Sequence, residues 1–206
     1  VVIQQYNESP LDFIVADYAI NYPFSYDEGD QFLLSPYRVL PDQQTKERLN
    51  NWIFELWKSG EQVQTYTLLQ RLTGIIHSTL IYKAREEPGV QSARETLSLG
   101  SGSCRDFALR FMEAVKCLGF ASRFVSGYLY APLMSSQVGS THAWAEVYLP
   151  GGGWKGFDPT VGALASADNI AVAVSAYPDS IPPIEGVFSG NAISTMDVGV
   201  WVTRLS

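Results

Sequence analysis

The sequence predicts an α+β fold in which N-terminal helices, one of them starting at a cysteine, pack on an antiparallel β-sheet. Two patterns carry that prediction. From Asp42 to Leu118 apolar residues return every three or four positions, the spacing of one helix face. From Ala121 onward they alternate and are broken by Gly and Pro turns, the spacing of strands. With 206 residues, an apolar fraction of 46% and a charged fraction of 17%, the chain has the make-up of one globular unit.

Leu11 to Ile20 reads as extended, β-rich sequence, and residues 1–40 are expected to be a β-rich lead-in to a core over 41–206. A loop marked by Pro23, Gly29, Pro36 and Pro41 follows. Asp42 is placed to cap a helix carrying Leu49, Trp52, Ile53, Leu56 and Trp57, which Gly60 stops. A second helix is predicted from Thr65 to Tyr82, with Leu68, Leu69, Leu72, Ile75, Ile76 and Leu80 inward. Ser92 suits the cap of a short turn reaching Thr96 and Leu97. The next helix starts at Cys104, buries Phe107, Ala108, Phe111, Met112, Val115 and Leu118, and ends at Gly119. Strands are predicted over Ala121–Tyr130, His142–Leu149 and Trp154–Asp158, and again near 169–175 and 197–204. Pro150-Gly151-Gly152-Gly153 makes a hairpin turn, and residues 131–140 are expected to be a mobile loop before the histidine.

The chemistry-bearing residues fall at element boundaries. Gly102-Ser103-Cys104-Arg105-Asp106-Phe107-Ala108 puts a cysteine behind a small Gly/Ser turn and at the start of a helix. The first N–H groups of a helix lack intrahelical partners and form the positive end of its dipole, which favours thiolate over thiol. His142 opens one strand of the hairpin and Asp158 closes the other, so the two ends can meet. A thiol, an imidazole and a carboxylate so placed suit nucleophilic acyl transfer, with Asp158 orienting the base and the Cys104 N–H facing a developing oxyanion. Plainer roles are available for each: a buried thiol, a satisfied strand histidine, a turn aspartate before Pro159. His77 is read as structural, Arg105 and Asp106 as an exposed first-turn pair, and Cys117 as a small core residue that the helix keeps away from Cys104. Trp144 and Tyr128 either shape an acyl-donor groove or fill the core.

In order along residues 102–160, four segments resemble the bacterial branch of the transglutaminase-like superfamily, cysteine hydrolases of papain-like fold. They are Gly102 to Ala108, Gly119-Phe120-Ala121-Ser122-Arg123-Phe124-Val125-Ser126-Gly127-Tyr128, Thr141-His142-Ala143-Trp144-Ala145-Glu146-Val147-Tyr148, and Trp154-Lys155-Gly156-Phe157-Asp158-Pro159-Thr160. Weaker likeness extends to Asp168–Val174 and Pro183–Gly190. The resemblance implies a Cys104–His142–Asp158 triad and a thioester intermediate. It implies a peptide or side-chain amide as substrate, with a cysteine protease as the first reading. It further implies an aromatic upstream of the cysteine as second oxyanion donor, for which Tyr82 is the candidate beside a plain packing role. It also suggests that residues 1–40 end a truncated N-terminal β domain. The family often has a His where this chain has Asn169, a departure not expected to touch the triad. Hydrolysis, deamidation and transamidation share the acyl-enzyme and are not separated by sequence. A non-catalytic scaffold of the same fold and an arylamine N-acetyltransferase-like thiol acyltransferase are the alternatives.

The net charge of −7, with scattered Lys and Arg, argues against a nucleic-acid partner. No apolar run approaches the roughly 20 residues of a membrane span. No metal-ligand spacing occurs, so no metal or cofactor is expected, and the expected partner is a peptide or protein substrate. Val1 opens no signal-peptide pattern, from which a cytoplasmic location is expected.

Overall fold

The computed structural model describes residues 1–5, 11–85, 87–130, 141–187, 189–190 and 198–204. Its helices and strands are β1 (Asn21–Tyr22), α1 (Glu28–Leu33), α2 (Gln43–Phe54), β2 (Val63–Gln64), α3 (Thr65–Thr79), β3 (Ile81–Tyr82), α4 (Ala93–Leu99), β4 (Ser101–Gly102), α5 (Cys104–Cys117), β5 (Ser122–Leu129), β6 (Thr141–Leu149), β7 (Gly153–Asp158), β8 (Ala163–Leu164) and β9 (Asn169–Ser175). The last five form one antiparallel sheet in the order β8-β7-β6-β5-β9. This is the predicted α+β arrangement.

Local chemistry accounts for the helix boundaries. Asp42 caps α2 by accepting from the Gln44 and Thr45 N–H groups. Ser92 caps α4 by accepting from Glu95 N, and Gly100 ends it in the left-handed conformation at φ 63°. Helix α5 lays one stripe (Phe107, Ala108, Phe111, Met112 and Val115) on the sheet face made by Ala143, Ala145, Val147 and Leu149, while α3 adds Leu68, Leu69, Leu72 and Ile76. All of these are nearly or wholly buried. Phe111 stacks on Phe157 with ring centroids 5.5 Å apart, which ties the middle of α5 to the strand that ends in Asp158.

Several sequence expectations change. The second helix stops at Thr79, because Ile81 and Tyr82 turn extended and pair in parallel with Ser101 and Gly102. Leu11–Ile20 holds a short 3₁₀ turn over Asp17–Ala19 instead of a strand. Phe13 and Val15 pack on the main core, and the Ala16 N–H bonds Pro150 O. The loop with Gly29 and Pro36 contains α1, capped by Asp27. Of the strand expected near 197–204, the described residues 198–204 keep a single bridge at Val200. The loop expected at 131–140 lies outside the described residues. Among the described residues no helix is long and apolar enough to cross a membrane.

Candidate active site

The turn before Cys104 is built around a buried carboxylate. Asp106 has no solvent exposure and accepts from Ser103 N at 2.7 Å, Ser103 Oγ at 2.8 Å, Gln91 N at 2.8 Å and the Arg85 guanidinium at 2.7 Å. Four charge-assisted donors compensate its desolvation. Gly102 is required here, since a Cβ on it would sit 2.9 Å from Asp106 Cβ. The expectation of an exposed Arg105–Asp106 pair is therefore corrected. Asp106 turns inward to complete the helix cap, and Arg105 reaches back to the carbonyls of Arg85 and Glu87. Chain entry into α5 is thus pinned on both sides of the cysteine.

His142 and Asp158 meet as the hairpin implied. Phe157 stands opposite Ala145 in the β6–β7 register, and His142 Nε2 lies 2.6 Å from Asp158 Oδ2. The histidine is 8% exposed and the aspartate 1%. Asp158 Oδ1 accepts from the N–H groups of Thr160 and Val161 at 3.0 and 3.3 Å. With Nε2 committed to the carboxylate, Nδ1 is the ring nitrogen left for another partner. Burial works against a charged imidazole. The hydrogen bonds and charges of Asp158 and Cys104 outweigh it and raise the His142 pKa from 6.5 to about 10. The shift favours the imidazolium.

Cys104 and His142 line one cleft of about 590 Å³. Tyr82, Arg85, Val90, Arg105 and Phe124 are among its lining residues, as are Pro178, Asp179 and Ile181 from the segment after β9. Tyr82 owes its place to the β3–β4 pairing, which sets it opposite Gly102, two residues before the thiol. It is half exposed and also meets the Phe107 ring edge-on at 6.4 Å. Trp144 and Tyr128 are not among the cleft-lining residues. Trp144 is 2% exposed and stacks beside the His142 ring at 6.1 Å, so it supports the imidazole from within the core. Tyr128 sits in β5 between Thr141 and Ile170.

The other histidine and the other cysteine do not line this cleft. His77 Nδ1 pairs with Thr160 O at 2.9 Å and its ring packs where a Cβ on Gly162 would stand, so it braces the loop after Asp158. Cys117 is a free thiol packed near Leu49, Ile53, Ala93 and Ala114, and burial raises its pKa to about 11. One site contact was not anticipated. Asn169 Nδ2 donates to Asp158 Oδ2 at 3.1 Å. The expectation that this position leaves the triad untouched is corrected: the first residue of β9 reaches the carboxylate across the sheet. Asn169 was visible as a departure from the family pattern, but nothing in its local sequence signals the contact.

The fold, the helix-start cysteine and the His–Asp hairpin coincide with a match to the transglutaminase-like superfamily over residues 57–159, half of the chain. The chain belongs to that superfamily. The chain is similar to an uncharacterised protein of Mycobacterium leprae, 33% identical over 120 residues, which cover 56% of this chain and 42% of the relative. An uncharacterised protein of Mycobacterium tuberculosis is 29% identical over 143 residues, or 65% and 46% of the two chains. The chain spans less than half the length of these curated relatives. Among solved structures, a candidate cysteine protease from Cytophaga hutchinsonii shares the fold with a TM-score of 0.58 at 22% identity, over 74% of this chain and 49% of that one.

Proposed function

We propose that this transglutaminase-like protein is a cysteine hydrolase or acyl transferase that opens a peptide or side-chain amide through a thioester on Cys104. A cysteine protease is the favoured form. The observation that carries this reading is the buried His142–Asp158 pair at 2.6 Å, facing the same cleft as a cysteine at a helix start. The shared fold with the Cytophaga protein supports it.

In this mechanism the Cys104 thiolate attacks the carbonyl carbon, and the tetrahedral oxyanion takes hydrogen bonds from the Cys104 N–H and, as a second donor, the Tyr82 hydroxyl. As the C–N bond breaks, the departing amine takes the proton of the His142 imidazolium, leaving a thioester and a neutral imidazole. Water or a second amine then attacks the thioester while His142 takes up its proton, and the thiolate leaves. Asp158 holds the ring tautomer and offsets the positive charge throughout. A peptide occupies the cleft, whose size falls in the range of ordinary ligand sites.

The test offers the protein a peptide library with and without a primary amine and reads products by mass. Cleaved peptides mark hydrolysis, and amine adducts mark transamidation. Cys104→Ala should abolish both. Asp158→Asn should lower turnover by orders of magnitude, on the order of 10⁴-fold where orientation matters as it does in serine triads. Wild-type rates in a folded Cys104→Ala variant would end this reading.

A further inference from the structure

We propose that Asn169 is a positioning residue of this site, sharing Asp158 Oδ2 with His142 so that the imidazolium releases its proton more readily. The inference rests on the reading of Cys104 and His142 as an acyl-transfer pair. Two donors converge on one oxygen: His142 Nε2 at 2.6 Å and Asn169 Nδ2 at 3.1 Å. The other oxygen is already taken by the Thr160 and Val161 N–H groups. The amide of Asn169 is held in place before it acts. Its Oδ1 accepts from Ser166 N at 3.0 Å, its own N–H donates to Ser166 O at 3.0 Å, and its carbonyl accepts from Gln5 Nε2 at 3.1 Å. A donor fixed by its own turn is pre-organised toward the carboxylate, not a surface amide that happens to touch it.

The chemistry follows from competition. Each donor on a carboxylate oxygen draws off part of its charge, so a second donor weakens the hold on the first. In acylation the imidazolium has to give its proton to the leaving amine, and a proton held too firmly is given slowly. The pair already raises His142 to about 10. Without the Asn169 donor the hold tightens further. The other charged or titratable groups around the imidazole are Cys104 and Arg105 from α5, Tyr82 from β3, Arg85 ahead of α4 and Asp179 beyond β9, all lining the cleft. None of them changes when Asn169 is replaced, so a shift in His142 reads the amide.

The chain has two histidines, which makes the measurement direct. His142 and His77 are titrated by NMR in the full chain, as wild type, Asn169→Leu and Asn169→Ala. The leucine is close to isosteric, and the alanine reports if the leucine variant does not fold. The expected result is a rise in the His142 pKa of about one unit, a tenfold gain in proton affinity, with His77 unmoved. Alkylation of Cys104 by iodoacetamide, which needs no proton from His142, should stay near the wild-type rate. A His142 pKa that stays put, or falls toward 6.5 as a merely structural amide would cause, overturns the proposal. If wild-type Cys104 alkylates readily in that case, the acyl-transfer reading still stands. A wild-type Cys104 that reacts no faster than a free thiol overturns both.

Discussion

Alkaline pH should destabilise this protein through His142, and the loss is large enough to measure. The imidazole has a pKa of about 10 when folded, against 6.5 when free. Below pH 6.5 it is protonated in both states, and the attraction of Asp158 and Cys104 contributes in full. Between 6.5 and 10 only the folded state keeps the proton, so stability falls by about 1.4 kcal/mol per pH unit. Across that window the loss sums to about 5 kcal/mol, a large share of the stability of an ordinary domain. Asp158→Asn removes the main charge that holds the proton while keeping the side-chain shape, so its stability should lose most of this slope and keep only the part due to Cys104. Urea unfolding of both proteins, followed by Trp fluorescence in reductant from pH 6 to 10, isolates the effect as a difference. That difference should be several kcal/mol at pH 6 and shrink toward zero by pH 10. Parallel curves over the whole range would refute the argument, because they would mean that Asp158 does not hold the His142 proton.

Other expectations are as direct. Cys117→Ala should leave thiol reactivity and any activity nearly intact, and peptide mapping after iodoacetamide at neutral pH should find label on Cys104 alone, since burial raises Cys117 to about 11. Glu113 is raised from 4.5 to about 7 by burial, against the pull of Lys116. Stability should therefore fall as pH rises from 4.5 to 7, by up to about 3 kcal/mol, and Glu113→Gln should remove that slope in the same urea assay. Gly127→Ala should unfold the sheet edge, because the new Cβ would overlap the Ile170 carbonyl where β5 meets β9. Loss of the cooperative thermal transition would show this, and a Tm within a degree of wild type would contradict it.

The elements that sequence resolves well are those whose signals are local. Asp42, Ser92 and Gly119 mark helix ends through their own side chains or backbone freedom, and the helices stop or start beside them. The β6–β7 hairpin is likewise local: alternation and a triple-glycine turn bring the histidine end of one strand to the aspartate end of the next. What was misjudged depends on distant partners. Tyr82 leaves the helix pattern to pair with Gly102, and Asp106 turns inward because Arg85 and Gln91 are there to meet it.

By itself, then, the sequence determined the α+β class, the cysteine at a helix start and the two hairpin ends that hold the imidazole and its carboxylate, because periodicity, caps and tight turns act over a few residues. Only the tertiary structure decided that Asp158 is shared between His142 and Asn169, which ring nitrogen faces the carboxylate, and that Pro178, Asp179 and Ile181 help to line the cleft. Those depend on which strands lie side by side and how a buried charge finds enough donors, and such pairings are set by the packing of the whole sheet and not by any neighbouring residue.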